Sequence, residues 1–189
     1  MRGRALLVVL AAALGVAATA GAVATATEAA APDPGRLIAP VSACPDQADP
    51  AAPVGAQLRA MRCLTNFARR GHGLPALADA AALDRAAGRK SADILRCDEF
   101  SHEACGREFT YWMQRFGYLG GCAGAAENIA WGTGALGGVR AIFSAWMHSA
   151  GHRENILGPY EEIGIGLRVG KLEGNPGARV WTQDFGARC

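Results

Sequence analysis

The chain has 189 residues, of which 19 are basic and 17 are acidic, and half of all residues are hydrophobic. This length suits one globular domain with a short additional segment and leaves little room for two full catalytic domains. Because only 19% of the residues are charged, the composition argues against a chain that is disordered throughout.

The first 26 residues have the pattern of a secretory signal peptide. Arg2 and Arg4 form a basic start, residues 5–18 form an apolar run, and small residues suited to cleavage follow. The alternative is an uncleaved membrane anchor, but the run is shorter than the roughly 20 residues that span a bilayer. Cleavage removes both arginines and leaves 17 basic and 17 acidic residues. We therefore expect a formally neutral protein, secreted or associated with the cell envelope, with no membrane span and no basic surface for nucleic acid.

Prolines mark the next segment. Six of the nine prolines lie between Ala29 and Pro53, where little hydrophobic periodicity is found. We interpret residues 27–52 as a proline-rich linker and residues 53–189 as the folded domain.

Within the domain, predicted helices come first and predicted strands later. The helices are expected over residues 54–71, 79–95, 109–116 and 138–149, and the strands over residues 128–131, 162–169 and 179–186. Asp79 is the predicted N-cap of the second helix. Gly164 and Gly166 alternate with apolar residues, which would let another layer approach closely. This order predicts an α+β fold with an antiparallel sheet covered by helices.

All six cysteines follow the predicted signal peptide. An even number in an exported chain favours three disulfides, for which the sequence alone allows 15 connectivities. The pairing that we expect is Cys44–Cys63, Cys97–Cys105 and Cys122–Cys189. The alternative is a zinc site formed by Cys97, His102 and Cys105, which would need a reducing compartment.

Histidines are the main candidates for a functional site. His102 and His152 each follow a predicted helix, in loops where side chains can converge on a cleft, and Glu127 precedes a predicted strand. Two imidazoles and a carboxylate can hold a divalent metal with an open position, transfer protons, or fix loops through a polar network. His148 and His152 have the spacing of a helical zinc pair, but Ser149 replaces the Glu of the His-Glu-x-x-His signature.

Five segments in a fixed order carry the strongest signal. They are Phe100–His102 (FSH), Ala126–Ile129 (AENI), Ala145–Leu157 (AWMHSAGHRENIL), Glu162–Gly166 (EIGIG) and Trp181–Gly186 (WTQDFG). Together they resemble the CAP superfamily of SCP-like extracellular domains, and their spacing is most similar to its bacterial branch.

This resemblance implies an α-β-α sandwich with a central cleft. In the family, two histidines and two acidic residues face the cleft, and the histidines can coordinate a divalent metal such as zinc. The matching positions are His102, His152 and, for the first acid, Glu127. Ser149 stands where the second acid would be, and a serine is a poor metal ligand and no general base. Members of the family have been linked to sterol or fatty-acid binding, to signalling and defence, and in a few cases to proteolysis.

Two functional hypotheses follow. The first is a secreted, disulfide-stabilised binding module whose cleft of His102, Glu127, Ser149 and His152 takes a small molecule, a lipid or a cell-envelope component. In this hypothesis, His102 and His152 can hold Zn²⁺ or another divalent metal. The alternative is a metal-dependent, peptidase-like hydrolase that uses His102, His152 and Glu127. We favour the non-enzymatic hypothesis because the acidic set is incomplete and no G-x-S-x-G nucleophile is present.

Overall fold

A computed structural model of the protein describes residues 33–120 and 123–188. The predicted signal peptide, Cys122 and Cys189 lie outside these residues. The helices are α1 (Val54–Gly71), α2 (Ala81–Cys97), α3 (Tyr111–Arg115), α4 (Val139–His148) and α5 (Ala150–Ile156). The strands are β1 (Ala78–Asp79), β2 (Ala123–Gly132), β3 (Glu162–Leu172) and β4 (Asn175–Arg188). None of the helices in the described part is long and apolar enough to cross a bilayer.

The sheet has the strand order β1-β3-β4-β2. Strand β4 pairs antiparallel with both β2 and β3, which confirms the predicted α+β class. Strand β1 pairs parallel with β3, so the sheet is mixed rather than purely antiparallel. The prediction that Asp79 is the N-cap of the second helix was wrong, because this residue takes part in the parallel pairing with β3. Asp79 belongs to β1, where its carboxylate lies 2.7 Å from Nε of Arg62, and α2 begins two residues later.

Helices cover both faces of the sheet. On one face, the apolar side chains of β3 and β4 pack against α1 and α4; the core there includes Met61, Leu64, Phe143, Trp146, Ile163, Ile165, Leu167, Trp181 and Phe185. On the other face, α2 lies against Gly164 and Gly166. A Cβ atom on either glycine would overlap backbone atoms of α2, so the expectation of close approach is confirmed.

The segment before α1 is packed against the domain in its described part. Pro34–Leu37 forms a 3-10 turn, and Leu37, Ala39 and Cys44 are buried in the core beside α1 and α4. The buried Gln47 amide donates hydrogen bonds to two backbone carbonyl groups of this segment. The described part of this segment, residues 33–53, therefore contributes to the core.

Two of the expected disulfides are present. Cys44 pairs with Cys63 and Cys97 pairs with Cys105, with Cα–Cα distances of 5.6 and 5.5 Å. Because both thiols of the second pair are used, the alternative zinc site with His102 is wrong. The expected Cys122–Cys189 bond lies outside the described residues and stays a prediction.

Two elements that carry candidate site residues differ from the sequence prediction. Strand β2 begins at Ala123, five residues before the predicted strand, so Glu127 lies within the strand and not before it. The expected fourth helix ends at His148, and a separate helix, α5, begins at Ala150. His148 and His152 therefore lie on different helices and do not form a helical pair.

Candidate functional site

The four residues predicted as a cleft lie around one cavity of about 350 Å³. Its lining comprises His102, Glu127, Ser149, Gly151, His152, Glu154 and Asn155. These residues come from the loop after α2, from β2, and from the junction of α4 with α5. Folding thus brings together residues that lie far apart in the sequence, from His102 to Asn155.

His102 and Glu127 form the best-defined contact of the cavity. Nδ1 of His102 lies 2.7 Å from Oε1 of Glu127, and the His102 side chain is 51% exposed while that of Glu127 is 1% exposed. Burial raises the pKa of Glu127 above its ordinary value, although the hydrogen bond with His102 and the positive charges of Lys90 and His102 oppose this. The carboxyl group fixes the orientation of the imidazole and leaves Nε2 of His102 without a hydrogen-bond partner in the described residues.

His152 is held in a similar way by Ser149. Nδ1 of His152 lies 2.8 Å from Oγ of Ser149, and either atom can be the donor. Burial, and then the positive charge of His102, lower the pKa of His152 below its ordinary value. The neutral imidazole is therefore favoured, with its Nε2 atom free of hydrogen bonds to the described residues.

A chain of side-chain amides fixes α5 against β2. Nδ2 of Asn155 donates to Oδ1 of Asn128 at 2.9 Å, and Nδ2 of Asn128 donates to the backbone carbonyl of His152 at 3.1 Å. Asn128 also donates to Gln183 of β4 at 3.3 Å, and Gln183 donates to Thr65 of α1 at 2.9 Å. Satisfied buried networks of this kind restrict a site to one arrangement.

Lys90 fixes the other side of the cavity. It lies on α2, is 1% exposed, and donates hydrogen bonds to the backbone carbonyls of His102 and Arg107. Lysine is rarely buried without partners, and here the partners are carbonyl groups of the loop that carries His102. Lys90 therefore anchors this loop and places a positive charge near Glu127.

Residues 63–185 match the model of the Cysteine-rich secretory protein family, CAP, and this range contains the whole cavity lining. The chain belongs to the CAP family. The CAP match covers more than half of the chain and includes the whole of β2, the strand that carries Glu127.

A relative of the chain is the protein YkwD of Bacillus subtilis strain 168. The two are 36% identical over 125 residues, which make up 65% of this chain and 44% of YkwD. The chain thus spans less than half the length of this relative.

Solved structures from other bacteria share the fold. An extracellular protein containing an SCP domain from Bacillus anthracis matches with a TM-score of 0.57 and 28% identity, over 71% of this chain and 41% of that protein. An outer surface protein of Borrelia burgdorferi matches with a TM-score of 0.59 and 16% identity, over 70% of this chain and 93% of that protein. At 16% identity, the second match supports the fold alone.

A second buried carboxyl group of the CAP domain lies behind the cavity. Asp184 of β4 stands opposite Glu127 of β2, is 1% exposed, and has no hydrogen-bond partner for Oδ1 in the described residues. Burial, and then the negative charge of Glu127, raise the pKa of Asp184 well above its ordinary value. Asp184 does not line the cavity, so it does not supply there the acid that Ser149 lacks.

Two side chains around the cavity have a ring nitrogen that could bind a metal. His102 and His152 each have Nδ1 engaged, which leaves Nε2 as the atom that can bind a metal. Within residues 33–120 and 123–188, no group of three or more His, Cys, Asp or Glu side chains is placed to hold one ion. His102 and His152 are thus the two side chains of the cavity that could bind a metal, whereas catalytic zinc sites ordinarily have three protein ligands.

Sequence reasoning identified His102, Glu127, Ser149 and His152 as a set, through the resemblance, and the structure brings all four together. It assigned no role to Asn128, although that residue lies in the AENI segment. It likewise assigned no role to Asp184, which lies in the WTQDFG segment, and it missed Lys90 altogether.

Proposed function

We propose that this CAP domain is an exported binding module. Its cleft takes a small polar ligand, or the polar part of a cell-envelope component, between His102 and His152. The proposal rests on one observation above all: the half-exposed imidazole of His102 is held through Nδ1 by the buried Glu127 carboxyl group, so its Nε2 atom is preoriented for a ligand.

The size and polarity of the cavity support a small polar ligand. A volume of about 350 Å³ is at the low end of the range for small-molecule pockets. Its lining offers two imidazoles and the side chains of Ser149, Glu154 and Asn155. These groups recognise hydrogen-bonding ligands rather than long apolar chains.

A divalent metal such as Zn²⁺ is part of the proposal. His102 and His152 would hold it through their Nε2 atoms, and the bound metal would attract an anionic or carbonyl oxygen of the ligand. Glu127 and Ser149 would orient the two imidazoles through Nδ1.

Export is supported by two features. The disulfides Cys44–Cys63 and Cys97–Cys105 are typical of an oxidising compartment. The similar proteins of Bacillus anthracis and Borrelia burgdorferi are described as extracellular and outer surface proteins.

Hydrolysis is not part of the proposal. The position of the second acid is occupied by Ser149, which is engaged with His152, and no third side chain of the described residues hydrogen-bonds to this imidazole to orient it as a base. Turnover of a peptide or envelope substrate that is lost in His102→Ala would contradict the binding module and favour the hydrolase.

Calorimetry with Zn²⁺ tests the proposal that His102 and His152 bind a divalent metal. We expect His102→Ala and His152→Ala each to weaken zinc binding by about tenfold or more, because each removes one of two ligands. His148→Ala is the matched control, since His148 is exposed at the end of α4 and does not line the cavity. Titrations that are indistinguishable among wild type, His152→Ala and His148→Ala would show that the metal part is wrong.

Mass analysis of the exported protein tests the ligand part. We expect a small polar molecule to co-purify with wild type and to be lost from His102→Ala. A molecule retained at full occupancy by His102→Ala would place the ligand outside this cleft.

A further inference from the structure

A second and larger cavity, which we call the arginine cavity, lies between α1, α2 and β3. Its volume is about 600 Å³, and none of its lining residues belongs to the histidine cavity. Four arginines line it, namely Arg62, Arg85, Arg89 and Arg168, against the single carboxylate of Asp84. A concentration of positive charge in a protein that is close to neutral indicates an anionic ligand.

The acidic side chains near the arginine cavity are already engaged in ion pairs and hydrogen bonds within the protein. Asp84 pairs with Arg62, and its Oδ1 atom also accepts a hydrogen bond from the backbone N–H of Ile165 at 2.9 Å. Asp79 pairs with the same arginine at 2.7 Å. In the described part of the chain, the other three arginines have no carboxylate within 4.0 Å. Three guanidinium groups thus share one cavity without counter-charges.

Two of these arginines are held by aromatic rings. Cζ of Arg85 lies 5.1 Å from the ring centre of Phe116, and Cζ of Arg89 lies 5.8 Å from that of Trp112. The two rings stack on each other at 5.9 Å. A cation–π contact uses the face of the guanidinium group and leaves its in-plane N–H donors available for an anion.

Arg168 is held against α2 by a backbone hydrogen bond and by close packing on Gly88. Its Nη1 atom donates to the carbonyl of Leu167 at 2.8 Å, and a Cβ atom on Gly88 would lie 3.1 Å from its Nη2 atom. Glycine is unfavourable in a helix interior, and at this position it leaves the guanidinium room to lie along the helix. The third guanidinium is therefore positioned by the fold.

We propose that the arginine cavity binds a phosphate ester. A phosphate monoester carries close to two negative charges and three acceptor oxygens, which match three guanidinium groups better than a carboxylate does. Leu58, Phe116, Ile165 and Leu167 provide an apolar part of the wall, which would contact the organic part of the ester. The ester can be a soluble metabolite or a lipid headgroup, and both present the same phosphate chemistry.

Calorimetry with the full exported protein at low salt tests whether the arginine cavity binds a phosphate ester. The probes are phenyl phosphate, glycerol 3-phosphate, inorganic phosphate and benzoate. We expect phenyl phosphate to bind about tenfold more tightly than inorganic phosphate or benzoate. Preferential binding of phenyl phosphate indicates an ester with an apolar body, and equal binding of glycerol 3-phosphate indicates a headgroup. Benzoate that binds as tightly as phenyl phosphate would overturn the phosphate assignment, as would the absence of binding by every ester up to millimolar concentration.

A charge-matched pair of variants locates the site. We expect Arg89→Gln with Arg168→Gln to weaken phenyl phosphate binding about tenfold or more. The control is Arg59→Gln with Arg70→Gln, which removes the same charge from exposed residues of α1 outside the cavity. An equal loss in both double variants would overturn the proposal, because it would indicate a non-specific effect of net charge. All four residues are exposed, so the urea unfolding midpoints of the variants are expected to match wild type.

A third variant separates position from charge. Gly88→Ala keeps every arginine, and the three atoms nearest to the added methyl group all belong to the Arg168 guanidinium. We expect weaker binding of phenyl phosphate with unchanged or greater stability. Unchanged affinity in Gly88→Ala together with unchanged affinity in the Arg89/Arg168 variant would exclude this cavity as the binding site.

Discussion

Glu127 and Asp184 stand opposite each other on neighbouring strands, and each has a carboxyl oxygen without a partner in the described residues. The atoms are Oε2 of Glu127 and Oδ1 of Asp184. Because burial and a neighbouring negative charge both disfavour ionisation, the pKa of Asp184 is well above its ordinary value. The Glu127 carboxyl group lines the histidine cavity, whereas the Asp184 carboxyl group lies in the protein interior.

Asp184→Asn is expected to stabilise the protein at alkaline pH. The unfolded chain releases the Asp184 proton near pH 3.9, whereas the folded protein holds it to higher pH, so stability falls as pH rises between these two values. Asparagine does not titrate, and we expect a gain on the order of 1 kcal/mol at pH 8 that narrows toward pH 4. Urea unfolding of wild type and Asp184→Asn at pH 4 and pH 8 measures this difference in the free energy of unfolding.

The control for this substitution is Asp46→Asn, at an exposed aspartate before α1. Because this side chain is exposed, the substitution should change the free energy of unfolding little at either pH. An Asp184→Asn variant that is less stable than wild type by the same amount at pH 4 and pH 8 would contradict the prediction.

His152 is expected to titrate below the ordinary histidine value of about 6.5, because burial and the nearby His102 disfavour its charged form. Stability linked to this group is present above that value and is lost as pH falls through the range below it. A proton NMR titration measures the pKa directly. In His102→Ala the pKa of His152 should rise, since one of its two causes is removed, and a further decrease would show that the assigned cause is wrong.

Gly164→Ala should be strongly destabilising. The added methyl group would overlap the backbone of Leu83 and Asp84 in α2, and the helix would have to move off the sheet. We expect a loss of about 3 kcal/mol in the free energy of unfolding, at the upper end of the cost of overpacking. Gly151→Ala is the comparison: nothing lies within 4 Å of the added methyl group, and alanine suits a helix better. Equal stability of the two variants would contradict the close contact of α2 with β3.

The third disulfide is predicted between Cys122 and Cys189. The ladder of β2 and β4 pairs Ala123 with Arg188, and these are the immediate chain neighbours of the two cysteines. We expect peptide mapping under non-reducing conditions to recover the linked pair, with no thiol reacting in the native exported protein. Two reactive thiols at these positions would exclude the bond.

Periodicity predicted much of the fold because the long elements each bury one regular face. The spacing of apolar residues in α1 and the alternation in β3 are both visible without the structure. Strand β1 has only two residues, which is too short to show a period, and its pairing with β3 depends on the tertiary fold. The same limit applies to α5, whose seven residues make about two turns.

The candidate site was predicted through motif resemblance, and its supporting residues were not. Lys90 is a residue type that is ordinarily exposed, so nothing local indicates that it donates to the carbonyl of His102. Asp184 lies on the face of β4 opposite Trp181 and Phe185, and alternation alone assigns that face to solvent. It is buried because β4 is an inner strand with helices on both faces, a fact of topology rather than of the strand's own sequence.

The Cys44–Cys63 bond also determines how the protein carries mechanical load. Tension applied to the chain before Cys44 passes through the covalent bond directly into α1, and the chain between the two cysteines, which are 19 positions apart, bears none of it. Reduction would release the part of that stretch before α1, residues 45–53, which is about 30 Å of chain when fully extended. In an exported protein pulled from its amino-terminal side, this one bond would set whether the segment before α1 acts as a tether of fixed length or as an extensible one.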